Sequence, residues 1–429
     1  MTVKEKGIKN GMNEEILKFS QAHAEPVWLK ERRLNAAQIF ETSNVPFIEK
    51  VRLDRFKLDE LKIAESEVSS NVPSFTEVSD HPVLAQVGSQ TVFEQLTPEL
   101  SEKGVIFTDF SQALTEIPEV METYFSSLVT ADENKLTALN VAAFNSGAVL
   151  VVPDHVEVKV PLESLFYQDR SSDVPFYKHI LIVVGKNSKV DYLERFQSLG
   201  DGNQQVKANI VVEVIAKDGA QVKFSAIDEL GENVTGFITR RGLIGENASI
   251  DWSIGVMNDG DIVADFDSEL RGQASHSNIK AVGISTGKQI QAINTRVTNY
   301  GKNSVGHILQ NGVILDRGTL TFNGIGHIIH GASGADAQQE SRVLMLTDKG
   351  RGDANPILLI DENDVTAGHA ASVGQVDEED LFYMQSRGID EETAKKLVIR
   401  GFLGAVVTEI PIKAVQKEFI ETIDRKLDI

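Results

Sequence analysis

The chain of 429 residues contains no cysteine, and this absence removes several kinds of chemistry at once. Without a thiol the protein forms no disulfide, carries no persulfide, and offers no thiolate as a nucleophile or as a metal ligand. Any soft-metal chemistry in which the protein takes part must therefore come from a partner.

Positive charge and long apolar runs are also scarce. The chain has 42 Lys and Arg residues against 63 Asp and Glu residues, a formal net charge of −21. Nucleic acids and anionic membranes are contacted through clustered Lys and Arg, so neither is expected as a partner. No run of about 18 apolar residues is present for crossing a bilayer, and no apolar stretch follows the basic start as in a secretory signal. We expect a cytoplasmic protein without membrane insertion.

Hydrophobic residues make up 41% of the chain, enough for a substantial core, and their periodicity divides it into three regions. Residues 1–145 are predicted to be a helix-rich amino-terminal region, including a helix from Asp132 to Phe144. Within that region, residues 42–98 are predicted to be irregular with a few short strands. Residues 146–365 are predicted to be the β core, and residues 366–429 a carboxyl-terminal helical domain.

The β core has a period of two, as in His155–Val160, and its turns recur. The polar residues of successive turns, Asn187, Asp218, Asn247, Gln273 and Asn303, follow one another at intervals of 31, 29, 26 and 30 residues. A repeat near 30 indicates stacked units that bury a common core. It therefore favours a parallel β-helix over a β-sandwich, in which strands recur every 8 to 12 residues.

The helical period returns near the carboxyl terminus. Asp377 and Asp390 are suitable N-cap residues for helices running from Glu378 to Arg387 and from Asp390 toward Leu403, and Pro411 is predicted to open a third helix. These helices are expected to form one compact unit.

Few motifs suggest catalysis. Gly283–Gly287 fits the G-x-S-x-G pattern of hydrolases, but a strand-like segment follows it where a helix is required, so a solenoid turn is favoured. His327 and His330 are three residues apart, which on a strand places one inward and one outward and disfavours a shared metal. His369 follows the predicted strands and an acidic run, where an imidazole can bind iron; a structural or exposed histidine is the alternative.

Several segments closely resemble the SufB/SufD family of iron–sulfur cluster assembly proteins. The resemblance spans most of the chain and is weakest between residues 45 and 130. It is carried by residues 25–29, 139–144, 322–324, 337–356, 364–374 and 381–389. The histidine-containing motif resembles the SufD branch, in which a cysteine commonly lies two positions before the histidine. Here that position is Ala367, which leaves His369 as the candidate iron or cluster ligand.

The resemblance implies a right-handed parallel β-helix (solenoid) core flanked by amino-terminal and carboxyl-terminal helical regions. It also implies a non-catalytic scaffold that pairs with SufB through the β-helix and binds the SufC ATPase through the carboxyl-terminal helices. An iron–sulfur cluster would be assembled transiently at the SufB interface, and association with reduced flavin stays open. The implied SufC contacts are Asp380, Leu381, Phe382, Tyr383, Arg387 and Gly388.

Two other functions are compatible with a β-helix. A polysaccharide lyase of the secreted type would need paired acidic and basic groups along a groove, and the chain shows neither a repeated acidic cluster nor an export signal. A stand-alone homodimeric scaffold is the second alternative, because solenoid edges can pair with themselves.

Overall fold

The computed structural model describes residues 3–67, 72–73 and 80–427, with the side chains of residues 3–12 and of Asp380 left out. Over this part the chain is mainly β and forms a parallel solenoid of about eight turns, with helices before and after it. The predicted fold class is confirmed in its parallel solenoid and its flanking helices. No helix among the described residues is both long enough and apolar enough to cross a membrane.

The amino-terminal region combines helices with three short strands. Its elements are α1 (Val3–Ala22), α2 (Val27–Thr42), β1 (Val83–Val87), β2 (Gln90–Gln95), α3 (Pro98–Glu102), β3 (Ile106–Asp109), α4 (Phe110–Glu116), α5 (Pro118–Tyr124) and α6 (Lys135–Ala143). Helix α6 confirms the helix predicted between Asp132 and Phe144. It begins at a capping box in which Asn134 and Thr137 satisfy each other's backbone N–H groups. Between α2 and β1, the described residues form no helix or strand apart from a 3₁₀ turn at Leu53–Phe56.

The solenoid strands alternate between two sheets along the chain. They are β4 (Ala148–Val152), β5 (Leu162–Asp169), β6 (Phe176–Val184), β7 (Lys189–Leu199), β8 (Val206–Ala216), β9 (Gln221–Glu229), β10 (Val234–Ile244), β11 (Ser249–Val256), β12 (Asp261–Leu270), β13 (His276–Ser285), β14 (Ile290–Asn299), β15 (Val305–Ile314), β16 (Thr319–Ile328), β17 (Asp336–Met345), β18 (Arg351–Ile360) and β19 (Thr366–Gln375). Even-numbered strands form one sheet and odd-numbered strands the other, and each pairs in parallel with the strand one turn away.

The corners explain the repeat seen in the sequence. Asn187, Gly219, Asn247, Ala274 and Asn303 all have positive φ and lie at successive corners. Gly and Asn tolerate this left-handed conformation, which is why such residues recur one turn apart. A positive φ also occurs at the end of the G-x-S-x-G segment, which is a corner between β13 and β14 as predicted.

The space between the two sheets is the main core. The aromatic rings of Tyr192, Phe224 and Trp252 pack against one another from turn to turn inside it in tilted pairs, with centroids 5.3 and 4.8 Å apart. The same interior holds a buried ion triad, in which Arg240 from the even sheet reaches across to Glu194 and Asp228 of the odd sheet.

The amino end of the solenoid is covered. Strand β1 pairs with β5 and β2 pairs with β1, while β3 pairs with β4. On β8, the carboxylate of Glu213 accepts hydrogen bonds from the backbone N–H groups of Ser126, Leu128 and Val129. It also accepts a hydrogen bond from His179. These bonds attach the amino-terminal region to the outer face of the even sheet.

The carboxyl-terminal helices are α7 (Glu378–Ser386), α8 (Glu391–Val407) and α9 (Lys413–Lys426). Asp377 and Asp390 cap α7 and α8 as predicted, whereas α9 begins two residues after Pro411. Helices α8 and α9 pack their apolar residues on the outer face of the odd sheet from Leu193 to Leu315. They therefore clamp several turns together.

The predicted boundary at residue 366 differs from the observed elements. Residues 366–375 form β19, the last strand of the odd sheet, and the helices begin at Glu378. The sequence of β19 lacks the alternation used to find strands, because most of its residues are exposed on both faces. The division into three domains stays a prediction.

Candidate functional site

The candidate site lies at the carboxyl end of the solenoid, which is open. Strands β18 and β19 are the last strands of their sheets, and among the described residues none pairs with their outer edges. β19 is exposed along nearly its whole length, whereas β17, one turn earlier, buries alternate residues. Along each of these ten-residue strands, the backbone N–H and C=O groups that point away from the sheet are therefore free to pair with another strand.

His369 lies on this last strand. It pairs in register with Gln339 of β17, and Gln339 is one of the residues of that strand that face the interior. The His369 side chain is therefore on the interior side of the terminal turn, yet it is exposed because no further turn covers it. A structure stacked on this end would enclose the imidazole.

Directly below His369, the interior is polar. Gln339 is 4% exposed, and its Nε2 donates to the Ile357 carbonyl of β18 at 2.9 Å. Its Oε1 is buried without a hydrogen-bond partner among the described residues. One turn further in, Gln310 accepts from Ser341 Oγ at 2.7 Å and donates to Thr295 Oγ1 at 2.9 Å. Sequence reasoning missed these amides, because only the register places them in the interior.

The open end also exposes apolar side chains. Val373 lies one turn beyond the buried Val343 and is 43% exposed. Leu359 and Ile360 of β18 are exposed to a similar extent. Exposed apolar residues along two unpaired edges are typical of an interface surface.

This chain offers an incomplete donor set for a metal. Among the described residues no three His, Asp or Glu side chains lie close enough together to hold an ion. His369 supplies one imidazole, so the remaining ligands of any iron or cluster bound here would have to come from another molecule.

The prediction that one of His327 and His330 packs inward is wrong, because neither does. His327 is not packed inward: it lies on the outer face of β16 and contacts Asp361 Oδ2 at 3.1 Å. His330 follows the end of β16 and is almost fully exposed, 3.7 Å from Glu362. Each histidine pairs with a different carboxylate of the corner before β19.

Helix α7 carries the residues that the resemblance assigned to the ATPase contact. Phe382 and Tyr383 are 73% and 60% exposed, and Arg387 donates to Tyr383 Oη at 3.3 Å while lying 5.2 Å from its ring centroid. Gly388 has a φ of +86° and ends the helix. Leu381 is half-buried in a groove beside Leu346, and the side chain of Asp380 lies outside the described residues.

The comparisons with known proteins agree with this architecture. A family model described as SUF system FeS cluster assembly, SufBD core domain, matches residues 166–402, and one described as SufBD protein N-terminal region matches residues 72–163. The chain belongs to the SufB/SufD family of iron–sulfur cluster assembly proteins. The core match begins inside β5 and extends into α8, so it includes the open end and α7.

One relative, named SufD, places the chain on the SufD branch of this family. The iron–sulfur cluster assembly protein SufD of Bacillus subtilis (strain 168) is 42% identical over 98% of this chain and 99% of the relative. An iron–sulfur cluster assembly SufBD family protein of Staphylococcus epidermidis (strain ATCC 12228) is 26% identical over 95% and 91%. Its counterpart in Staphylococcus saprophyticus is 28% identical over 77% and 71%. The resemblance stated from the motifs is thereby confirmed.

Proposed function

We propose that this chain is the non-catalytic scaffold subunit of a cytoplasmic SufBCD complex for ATP-driven iron–sulfur cluster assembly. Its open solenoid end pairs with SufB, and α7 docks on the SufC ATPase, which hydrolyses ATP. Family membership supports the role in cluster assembly. The unpaired edges of β18 and β19 are the observation that supports pairing with SufB at the open end.

Pairing at the open end gives His369 its role. A partner solenoid that adds strands to both edges continues the two sheets and covers the interior of the last turn. His369 is then enclosed at the junction and offers one nitrogen ligand, while thiolate ligands and sulfur come from SufB, since this chain has none. The cluster is the cargo of the assembly.

The position of α7 links the ATPase to this junction. Only two residues separate the end of β19 at Gln375 from the start of α7 at Glu378. The exposed aromatic residues Phe382 and Tyr383 give α7 the anchors that a docked protein needs. A displacement of SufC during its nucleotide cycle therefore acts first on the strand that carries His369.

Helices α8 and α9 keep the rest of the molecule still during such a movement. Lys426 Nζ donates to the Asn258 carbonyl at 2.9 Å, and Asn311 Nδ2 donates to the Phe402 carbonyl at 2.8 Å. These bonds add to the apolar packing of α8 and α9 on the odd sheet, so we expect α7 and β19 to move relative to a rigid body.

The first experiment tests the assembly itself. The full chain is expressed with SufB and SufC, and the eluted complex is analysed by native mass spectrometry. We expect all three proteins in one complex, and loss of SufC when Phe382 and Tyr383 are both changed to Ser. If the chain elutes as a homodimer without bound SufB, the result would instead favour the stand-alone homodimeric scaffold.

The second experiment tests His369. In the purified complex, His369→Ala should leave assembly intact and lower the yield of reconstituted cluster, followed by absorbance and by the iron-edge X-ray spectrum. His276→Ala is the matched control, because His276 is an exposed histidine on β13, three strands away within the same sheet. Equal cluster yield and an identical iron spectrum for both variants would exclude the ligand role.

A further inference from the structure

An exposed aromatic residue from the amino-terminal region lies close to the open end. Phe47 is 84% exposed, more than any other large apolar side chain among the described residues for which exposure is known. It belongs to a segment, here called the strap (residues 44–63), that crosses the outer face of the even sheet. A single exposed apolar residue on a surface is ordinary, so the placement of Phe47 has to carry the argument.

The strap runs along the sheet toward the open end. Near its carboxyl end, the Glu60 carbonyl accepts from Tyr177 Oη of β6 at 3.1 Å, and the Phe56 carbonyl accepts from Lys207 Nζ of β8 at 2.9 Å. The Glu49 carbonyl, in contrast, accepts from Asn323 Nδ2 of β16 at 3.2 Å. Phe47, here called the tip of the strap, is two residues before Glu49 and therefore lies near the last turns of the solenoid.

A second hydrogen bond continues this contact to the edge of the sheet. Asn323 Oδ1 accepts from Asn355 Nδ2 at 3.0 Å, and Asn355 lies on β18, the edge strand. The path from the strap to the unpaired edge is thus one side chain long. A protein that extends the even sheet beyond β18 would pass beside the tip of the strap.

The tip is also held in place. On one side of Phe47 the Asn44 carbonyl accepts from the Lys135 backbone N–H at 2.8 Å, and on the other side Ile48 is 5% exposed within an apolar cluster. Pro46 restricts the backbone directly before Phe47. A rigidly presented aromatic side chain loses little conformational freedom on binding, which is the property of an interface anchor.

We propose that Phe47 is an anchor for the partner solenoid that pairs with β18 and β19, inserting into a pocket on that partner's outer face. This inference rests on the proposed function, because the occupant is the same SufB-type partner. It extends the interface from the two strand edges to the amino-terminal region of this chain.

The test compares exposed residues at two places in the amino-terminal region. Phe47→Ser and Val27→Ser are made in the full chain, and binding to immobilised SufB is measured by interferometry. Val27 is 63% exposed at the start of α2, whose buried residues pack beside the first turns. We expect Phe47→Ser to raise Kd at least about tenfold, Val27→Ser to change it less than about twofold, and Phe47→Trp to retain binding.

Each other outcome contradicts the inference. If wild-type protein binds SufB and Phe47→Ser binds within about twofold of it, the anchor role is wrong while the proposed function stands. If wild-type protein does not bind SufB, both fail. A Phe47→Ser change that alters self-association by sedimentation but not SufB binding would make a second copy of this chain the occupant. Thermal melting of each variant checks folding, which should be unchanged because both side chains are exposed.

Discussion

The two ends of the solenoid are built differently. At the amino end, β1, β2 and β3 occupy the sheet edges, and helices cover the outer face of the first turns. At the carboxyl end, β18 and β19 have no such cover among the described residues. A repeated fold must deal with unpaired backbone at both ends. Closure of one end alone directs association to the other.

The same contrast separates two inward-facing polar sites. Arg240, Glu194 and Asp228 are fully buried in the interior, where Arg240 donates to both carboxylates, although Glu194 Oε2 has no hydrogen-bond partner among the described residues. His369 occupies an interior position of the last turn, and among the described residues no group of three His, Asp or Glu side chains gathers there. The buried triad therefore contributes to the stability of the fold. The exposed imidazole of His369 is available to take part in chemistry together with another molecule.

The largest effect is expected from breaking the sealed triad. Arg240→Met leaves Glu194 and Asp228 buried without a cation, and removing one partner of a buried ion pair costs about 3–5 kcal/mol. Urea unfolding should show this loss of free energy of unfolding. Arg317→Met, at an exposed corner, is the control and should change it by less than about 0.5 kcal/mol. Similar values for both variants would mean that the triad is not what stabilises these turns.

A pH dependence should follow from the same triad. Burial raises the pKa of Glu194 to about 7, since loss of solvent outweighs the attraction of Arg240. The folded state then binds a proton that the unfolded state releases at its lower, ordinary pKa. This contribution is present in full below the unfolded pKa and is lost as pH rises through about 7, with a slope of at most about 1.4 kcal/mol per pH unit.

The Glu194→Gln variant isolates this contribution, because it keeps the shape of the side chain and cannot ionise. The free energy of unfolding is measured from pH 5 to pH 8 for wild-type protein and for this variant. Wild-type protein should lose stability relative to the variant as pH rises. A constant difference across the range would show that Glu194 does not carry the proton.

A smaller effect on stability is expected where helices α8 and α9 pack on the odd-numbered sheet. A Cβ at Gly255 would lie 2.5 Å from the ring of Phe419 on α9, so Gly255→Ala should cost about 1–3 kcal/mol through overpacking. Gly374 on the open strand β19 has no atom within 4 Å of such a Cβ. Gly374→Ala should therefore be nearly neutral in thermal melting. Equal losses would show that β19 is covered in solution.

Much of this architecture was predictable because it is repeated. Asn187, Asn247 and Asn303 lie at the corners, and their spacing in the sequence indicates a parallel solenoid. The carboxyl-terminal helices were predictable from Asp377 and Asp390, which cap them. Such local signals need no knowledge of distant contacts.

The site was less predictable. His369 came from a motif, but neither its inward orientation nor the polar interior beneath it follows from local sequence, since both depend on the register with Gln339. Strand β19 was missed because an exposed edge strand lacks the burial that produces alternation. Phe47 lies in an irregular segment whose position depends on contacts distant in sequence, such as the bond from Asn323 to the Glu49 carbonyl, 274 residues away. Long-range register and single contacts leave no periodic signal.

The smallest effect should come from the open rim itself. Val373 and Val343 occupy the same interior column one turn apart, but Val373 is 43% exposed and Val343 is buried. Val373→Lys should change the free energy of unfolding of the isolated chain by about 0.5 kcal/mol or less, because the new charge reaches solvent. Binding to SufB, measured in parallel, should weaken, because pairing at this end would bury that charge without a partner. If Val373→Lys instead destabilises the isolated chain strongly, the carboxyl end is already closed, and the contrast between the two ends does not exist.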